Sequence, residues 1–200
     1  IKTGKVIVAQ APELVPALEN LYQRAVENGV RCEKISLQQL KAIEPEAVTH
    51  SFALYSPDTA IIDSSAVLIQ IKEEIVREGV HFLFSSPVHE MKPAQKLIRA
   101  GKEVIEYGHF INASGLHADR IAHSMGVGEK YRILPFKGLY RYLKPAAAKR
   151  FRSLIYPTPD PQLPFLGVHT TRTLDGHVKI GPTAIPALGR ENYGILQGLD

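Results

Sequence analysis

Phe110-Ile111-Asn112-Ala113-Ser114-Gly115-Leu116-His117-Ala118-Asp119-Arg120 is the stretch on which the fold turns. A short apolar run of strand type passes into small residues and then into a helix expected over 116–125. Asp119 falls near the favourable N-terminal end of that helix. Small residues at such an entrance let backbone approach a phosphate or a sugar closely. Ala-Ser-Gly equally suits a plain tight turn. The Gly-x-Gly-x-x-Gly pattern of a dinucleotide site does not occur in the chain. A dinucleotide site here needs residues from elsewhere to complete it.

Working upstream, Val80-His81-Phe82-Leu83-Phe84 reads as a buried strand, and residues 87–107 read as strands with a turn at Arg99-Ala100-Gly101-Lys102. Before them lies a helix that Asp63 or Ser64 caps and Gly79 ends. Its Val67, Leu68, Ile71, Ile75 and Val76 make one apolar face. Nearer the start, Lys5 to Ala9 has strand character. A helical stretch follows from Pro12 and Glu13, with Leu14, Leu18, Leu21, Ala25 and Val26 at three- and four-residue spacing and Asn28-Gly29 as its stop. Ser36-Leu37-Gln38-Gln39 is a capping box ahead of Leu40 and Ile43. Ser56-Pro57-Asp58 is a turn. Downstream of residue 126, Pro and Gly become frequent and runs such as Leu139 to Leu143 alternate as half-buried strands do.

The fold class is therefore mixed α and β (α+β). Residues 64–126 read as part of a Rossmann-like nucleotide-binding layer. Residues 1–63 read as the first part of a substrate domain, and 127–200 as its largely antiparallel sheet. No fixed-period repeat is present.

Composition narrows the classes. With 200 residues, 44% hydrophobic and 22% charged, the chain is expected to be globular. No run of eighteen apolar residues occurs, and the start lacks the basic and apolar regions of a signal peptide. Ile1 reads as a fragment boundary. The lone Cys32 fits a reducing compartment. The net charge of +4 is interspersed, and the longest basic cluster, Lys149-Arg150 with Arg152, is short, so no nucleic-acid partner is expected. A mild positive field suits an anionic small substrate.

Two further stretches carry candidate chemistry. Lys137 beside Gly138 interrupts a sheet-like run. One reading is a bulged strand with a solvated lysine; the other is a cation held near an anionic substrate or an electron-rich ring. Between Ile155 and Gly181, Asp175-Gly176 is a hairpin turn. Strand alternation puts Gly167, His169 and Thr171 on one face and Val168 with Thr170 on the other. His169 then projects beside Thr171, near a glycine that leaves room for a ligand. No metal site is expected. His117 and His123 are six apart and share no helix face, and no Cys-x-x-Cys occurs. Without a Gly-x-Ser-x-Gly elbow, a serine hydrolase finds no support either.

Taken in order, Asn112 to Arg120, Pro135-Phe136-Lys137-Gly138, Tyr156-Pro157-Thr158-Pro159-Asp160-Pro161, Pro164 to His169, Thr171-Arg172, Asp175-Gly176 and Gly181-Pro182 resemble one family. It is the L-2-hydroxyglutarate oxidase/dehydrogenase family of D-amino-acid-oxidase-like flavoproteins. Gly4 to Ala9, Leu21 to Arg24, Asn28-Gly29, Pro57-Asp58-Thr59 and Ile62-Asp63 agree with it, so the resemblance covers nearly the whole chain.

The resemblance implies an FAD enzyme that oxidises a 2-hydroxy acid, L-2-hydroxyglutarate, to the 2-oxo acid, with oxygen or a quinone-type molecule as electron acceptor. It implies a cytoplasmic location, with peripheral membrane association of the full-length parent left open. Carried over, Val88, Ala113, Ser114 and Gly115 line the FAD. His169 is the catalytic candidate, as base or polariser, and Lys137, Thr171 and Arg172 bind substrate. The family's Gly-rich turn lies before Ile1 and its closing flavin loop after Asp200, so the chain alone is expected to bind FAD poorly and to be inactive. Ser56-Pro57-Asp58 and Gly181-Pro182-Thr183 depart from the commonest family wording. Other members of the fold (amino-acid, sarcosine-type or glycerol-3-phosphate oxidoreductases) and a non-enzymatic binding module are the alternatives.

Overall fold

A computed structural model of the chain describes residues 1–160, 162, 165–194 and 198. Pro161 and Pro164, which belong to the family-like stretches, lie outside the described residues. In chain order the elements are β1 (Lys5–Val8), α1 (Val15–Glu27), β2 (Glu33–Ile35), α2 (Leu37–Ile43), β3 (Ala53–Ser56), α3 (Ser64–Arg77), β4 (Val88–Lys92), β5 (Leu97–Ala100), β6 (Glu103–Glu106), α4 (Ala118–Ser124), β7 (Phe136–Tyr142), α5 (Pro145–Ala148), β8 (Leu154–Pro157), β9 (His169–Arg172) and β10 (Val178–Pro186). They divide into two compact units, each built from two chain segments: Ile1–Ile69 with Gly138–Ile185, and Gln70–Lys137 with Pro186–Asp200.

Local signals account for most helix ends. A 3-10 turn at Pro12–Leu14 leads into α1, and Asn28 closes it. Gly29 adopts φ 67°, a left-handed turn that glycine tolerates without a Cβ penalty. Ser36 Oγ accepts from the Gln39 N–H and Gln39 Oε1 accepts from the Ser36 N–H, so the capping box forms in full. Asp63 Oδ1 caps α3 by accepting from the Ser65 and Ala66 N–H groups.

The first unit is organised by a seven-stranded sheet in the order β2-β3-β1-β8-β9-β10-β7. β1 is antiparallel to β3 and parallel to β8. That parallel pair joins the two chain segments, so the sheet is mixed. The β8–β9–β10 part is antiparallel, as the downstream half was expected to be. Period-two alternation splits the core across the sheet. Val6, Val8 and Ala53 pack with Ile35, Leu40 and Ala47 on the α2 side. Leu54 and Ile7 pack with Leu18 and Leu21 of α1 on the other. Leu18 is fully buried, which contributes about 1.5–3 kcal/mol. Beyond α2, the fully buried Glu44 directs Oε2 at the backbone N–H groups of Arg152 (2.8 Å) and Ser153 (2.7 Å) and at the Ser153 hydroxyl (3.1 Å). That fixes where β8 starts.

The second unit holds the antiparallel meander β4-β5-β6 and α4. Asp119, at the start of α4, is its polar anchor. Its carboxylate takes a bidentate pair from Arg190 (2.6 and 2.8 Å) and the N–H of Ile133 (2.9 Å). The Arg190 guanidinium, followed by the Ile133 N–H, holds this carboxyl well below the usual carboxylate range.

Two sequence expectations fail here. Val80 to Phe84 is neither a strand nor buried, and Phe110 to Ala113 forms no strand, with Ile111 86% exposed. An apolar run becomes a strand only when a neighbouring backbone takes its N–H and C=O groups, and neither run pairs with a strand among the described residues. The apolar face of α3 forms as expected, since a helix satisfies its own backbone, but none of its residues is buried.

Candidate functional site

Register gathers the polar candidates of the first unit on one face of the sheet. Ile7 pairs with Tyr156 across β1 and β8, Ile155 with Thr170 across β8 and β9, and Gly181 with His169 across β9 and β10. Tyr156, His169 and Thr171 therefore share a face with Lys5 and Ile7. The side chains bear this out. The His169 and Tyr156 rings stack with centroids 4.0 Å apart and planes 19° apart. Burial raises the Tyr156 phenol pKa, against a smaller opposing pull from the Thr171 hydroxyl. Lys5 Nζ stands 5.5 Å from the Tyr156 ring centroid.

His169 is buried at 6% exposure, and its Nδ1 lies 2.9 Å from the Gly167 carbonyl oxygen. A carbonyl can only accept, so Nδ1 carries the hydrogen in the neutral ring and Nε2 carries the lone pair. Nε2 makes no hydrogen bond among the described residues. Gly181, directly opposite His169, is held at φ 149°, and a Cβ there would meet the Leu139 carbonyl oxygen at 2.5 Å. Gly138 serves close approach too, since its Cβ would sit 2.8 Å from the Pro182 Cβ.

Arg172 is not brought to this group. It falls on the Thr170 face, where its Nη1 donates to the Arg152 carbonyl at 3.1 Å. Lys137 belongs to the second unit. Its ammonium is half-buried and donates to Asn192 Oδ1 (2.7 Å) and the Gly194 carbonyl (2.8 Å). Both acceptors are neutral, so the cation is oriented without being neutralised. Sequence reasoning missed Tyr156, Lys5 and Asn192 as site residues. Tyr156 stood in a quoted stretch, but only the parallel β1–β8 pairing reveals its neighbours.

In the second unit, Val88 opens β4 half-buried opposite Ala100. Asn112 Oδ1 accepts from the Ser114 hydroxyl (2.6 Å) and backbone N–H (3.3 Å), and Asn112 Nδ2 donates to the Ala118 carbonyl (2.8 Å). This braces an exposed turn in which Gly115 takes φ 53° with nothing within 4 Å of its Cβ position. Exposed backbone over clear space suits close approach by a phosphate or sugar, so the turn fits one edge of a dinucleotide such as FAD. No group of three His, Cys, Asp or Glu is placed to hold a metal among the described residues.

Comparison with known proteins settles the lineage: a model of the FAD-dependent oxidoreductases matches residues 1–197. The chain belongs to the FAD-dependent oxidoreductase family. Within the family it is 34% identical to the mitochondrial L-2-hydroxyglutarate dehydrogenase of Nematostella vectensis, over 98% of this chain and 46% of that protein. It is 36% identical to the Caenorhabditis elegans mitochondrial L-2-hydroxyglutarate dehydrogenase, over 96% of this chain and 46% of the relative. The L-2-hydroxyglutarate dehydrogenase of Indibacter alkaliphilus is also 36% identical, over 96% and 49%. The chain thus spans about half the length of the curated relatives it matches. Two solved oxidoreductases share its fold. L-alpha-glycerophosphate oxidase from Mycoplasma pneumoniae, solved with FAD bound, superposes with a TM-score of 0.80 at 20% identity, covering 98% of this chain and 54% of that one. L-proline dehydrogenase from P. horikoshii gives 0.77 at 18% identity, covering 92% and 50%.

Proposed function

We propose that the whole protein oxidises L-2-hydroxyglutarate to 2-oxoglutarate, with His169 as the base. The observation that carries this is the locked imidazole. Its Nδ1–H is committed to the Gly167 carbonyl, which leaves the Nε2 lone pair for a substrate hydroxyl on the sheet face that His169 shares with Thr171. Oxidation removes the hydroxyl proton and the hydrogen on C2 as a hydride. His169 Nε2 takes the proton and Thr171 hydrogen-bonds the substrate oxygen. Lys137, in the second unit, remains a substrate-binding candidate whose ammonium is oriented by two neutral acceptors. Bound FAD, for which Val88 and Ala113 to Gly115 would form one edge of the holding surface, supplies the hydride acceptor. Arg172 remains a substrate-binding candidate, though its present partner, the Arg152 carbonyl, would have to be exchanged.

Oxygen or a quinone-type molecule would receive the electrons. Among the described residues no helix is long and apolar enough to cross a membrane. We place the protein in the cytoplasm, where a quinone acceptor would be met by peripheral contact with the inner membrane. The test is anaerobic flavin reduction in the whole protein. L-2-hydroxyglutarate, and not its D enantiomer, should bleach the flavin absorbance. His169→Asn should keep the flavin spectrum and slow bleaching by about 10²–10⁴-fold, the usual worth of a general base. Wild-type rates in that variant would remove His169 from the reaction, and a folded whole protein without flavin absorbance would remove the oxidase reading.

A further inference from the structure

We propose that Lys5, on β1, binds the carboxylate at the far end of the substrate from the reacting carbon and so selects a dicarboxylate. The proposal rests on the reading that His169 takes the proton from the C2 hydroxyl. Four observations carry it.

Lys5 lies on the same sheet face as Tyr156, His169 and Thr171, through the register of β1 with β8 and of β8 with β9. Its ammonium is 5.5 Å from the Tyr156 ring centroid, and the His169 ring centroid is 4.0 Å from that same point. Ammonium and imidazole are thus separated by no more than the sum of those two distances. An extended 2-hydroxyglutarate has about 4 Å between C2 and the far carboxyl carbon. One hydrogen bond of about 3 Å at each end gives a span of about 10 Å, and less for a bent chain. The substrate is therefore long enough to reach both groups.

The third observation is charge. Lys5 makes no ion pair among the described residues, and its charge acts on the Cys32 thiol, whose pKa burial raises and Lys5 lowers by less. The fourth is room for the far carboxylate alone. A cavity of about 430 Å³ opens beside Lys5 on the α1 side, lined by Ile7, Leu21, Arg24, Leu54 and Ser56 among others, with no carboxylate in its wall; Tyr156 and His169 stand outside it. Apolar walls and a second cation make an unneutralised ammonium a stronger anion site than it would be in open solvent. Lys179, also on this face, is turned to a different ring, with its ammonium 4.6 Å over Tyr140. Lys5 is therefore the lysine tied to the Tyr156–His169 stack.

The experiment compares kcat/KM for L-2-hydroxyglutarate and L-2-hydroxybutyrate, which shares C2 and lacks the far carboxylate, in the whole protein and its Lys5→Met and Lys5→Arg variants. Losing one charge-assisted hydrogen bond should lower the value for the dicarboxylate roughly 10- to 100-fold in Lys5→Met. The value for the monoacid should stay within about twofold, and Lys5→Arg should recover most of the loss. An equal fall for both acids would show that Lys5 only supports the Tyr156 ring, and no fall for either would also overturn the proposal. A wild-type protein that oxidises neither acid fails the functional reading itself, before any variant is compared.

Discussion

Glu44 offers the sharpest test of how this fold holds its site, because one buried oxygen does the work. Oε2 accepts two backbone N–H groups and a hydroxyl from Arg152 and Ser153, while Oε1 is buried without a partner among the described residues. Those contacts fix the start of β8, the strand that brings Tyr156 to His169. Glu44→Ala strands the donors in the interior. A buried donor left unsatisfied costs about 1–3 kcal/mol, so two backbone groups and a hydroxyl put the loss at about 3–5 kcal/mol once partial relaxation is allowed. Glu44→Gln behaves differently. Its carbonyl oxygen can take the place of Oε2, and the amide nitrogen replaces an oxygen that had no partner. The cost should be smaller than for Ala, about 1–2 kcal/mol, because the three donors keep an acceptor and only the new amide N–H groups are buried without one.

Amide hydrogen exchange of residues 152–157 in the whole protein reads this locally. The Ala variant should exchange about 10²- to 10³-fold faster there and the Gln variant about 5- to 30-fold faster than wild type. If Gln and Ala behave alike, the negative charge and not the acceptor geometry holds the segment, and the reasoning is wrong.

Two further outcomes follow from the second unit's anchor and from the crowded glycine of β10. Asp119 is held below its ordinary carboxylate range in the folded state, so its stabilising contribution is complete above the unfolded value near pH 4 and is lost as pH falls towards the depressed folded value. Thermal unfolding followed from pH 6 to pH 2 should show that loss, and Asp119→Asn should flatten it; an unchanged slope in the variant would assign the acid sensitivity elsewhere. Gly181→Ala combines a backbone that L side chains rarely adopt with a Cβ 2.5 Å from the Leu139 carbonyl, so it should destabilise by about 2–5 kcal/mol. A variant as thermostable as wild type would show that β7 and β10 yield more readily than their packing implies.

What could be read from the sequence was what is decided within a few residues. The capping box of Ser36 and Gln39, the Asp63 cap, the Asn28-Gly29 stop and the Asp175-Gly176 turn each close a hydrogen bond over three or four positions, and each formed as expected. Val80 to Phe84 and Phe110 to Ala113 have the composition of strands too. A strand, however, is a relation between two backbones, and an apolar run cannot state whether its partner is present. The error in those two places was one of pairing; their hydrophobicity was read correctly.

The site shows the same division in finer detail. Alternation along β9 placed His169 and Thr171 together, and the same count of two puts Arg172 with Thr170, on the face where the structure has it. That much was available from counting, and family likeness drew Arg172 into the group against it. Lys5 and Tyr156 are separated by some 150 positions and meet only because β1 runs parallel to β8. A parallel neighbour leaves no trace in local periodicity, since either strand would read the same beside any other partner. The polar face therefore depends on one pairing that joins the two segments of the first unit. Residues that act on opposite ends of a short dicarboxylate can come from distant parts of a chain for this reason: the sheet supplies the spacing, about 4.8 Å per strand, and the side chains need only point the same way.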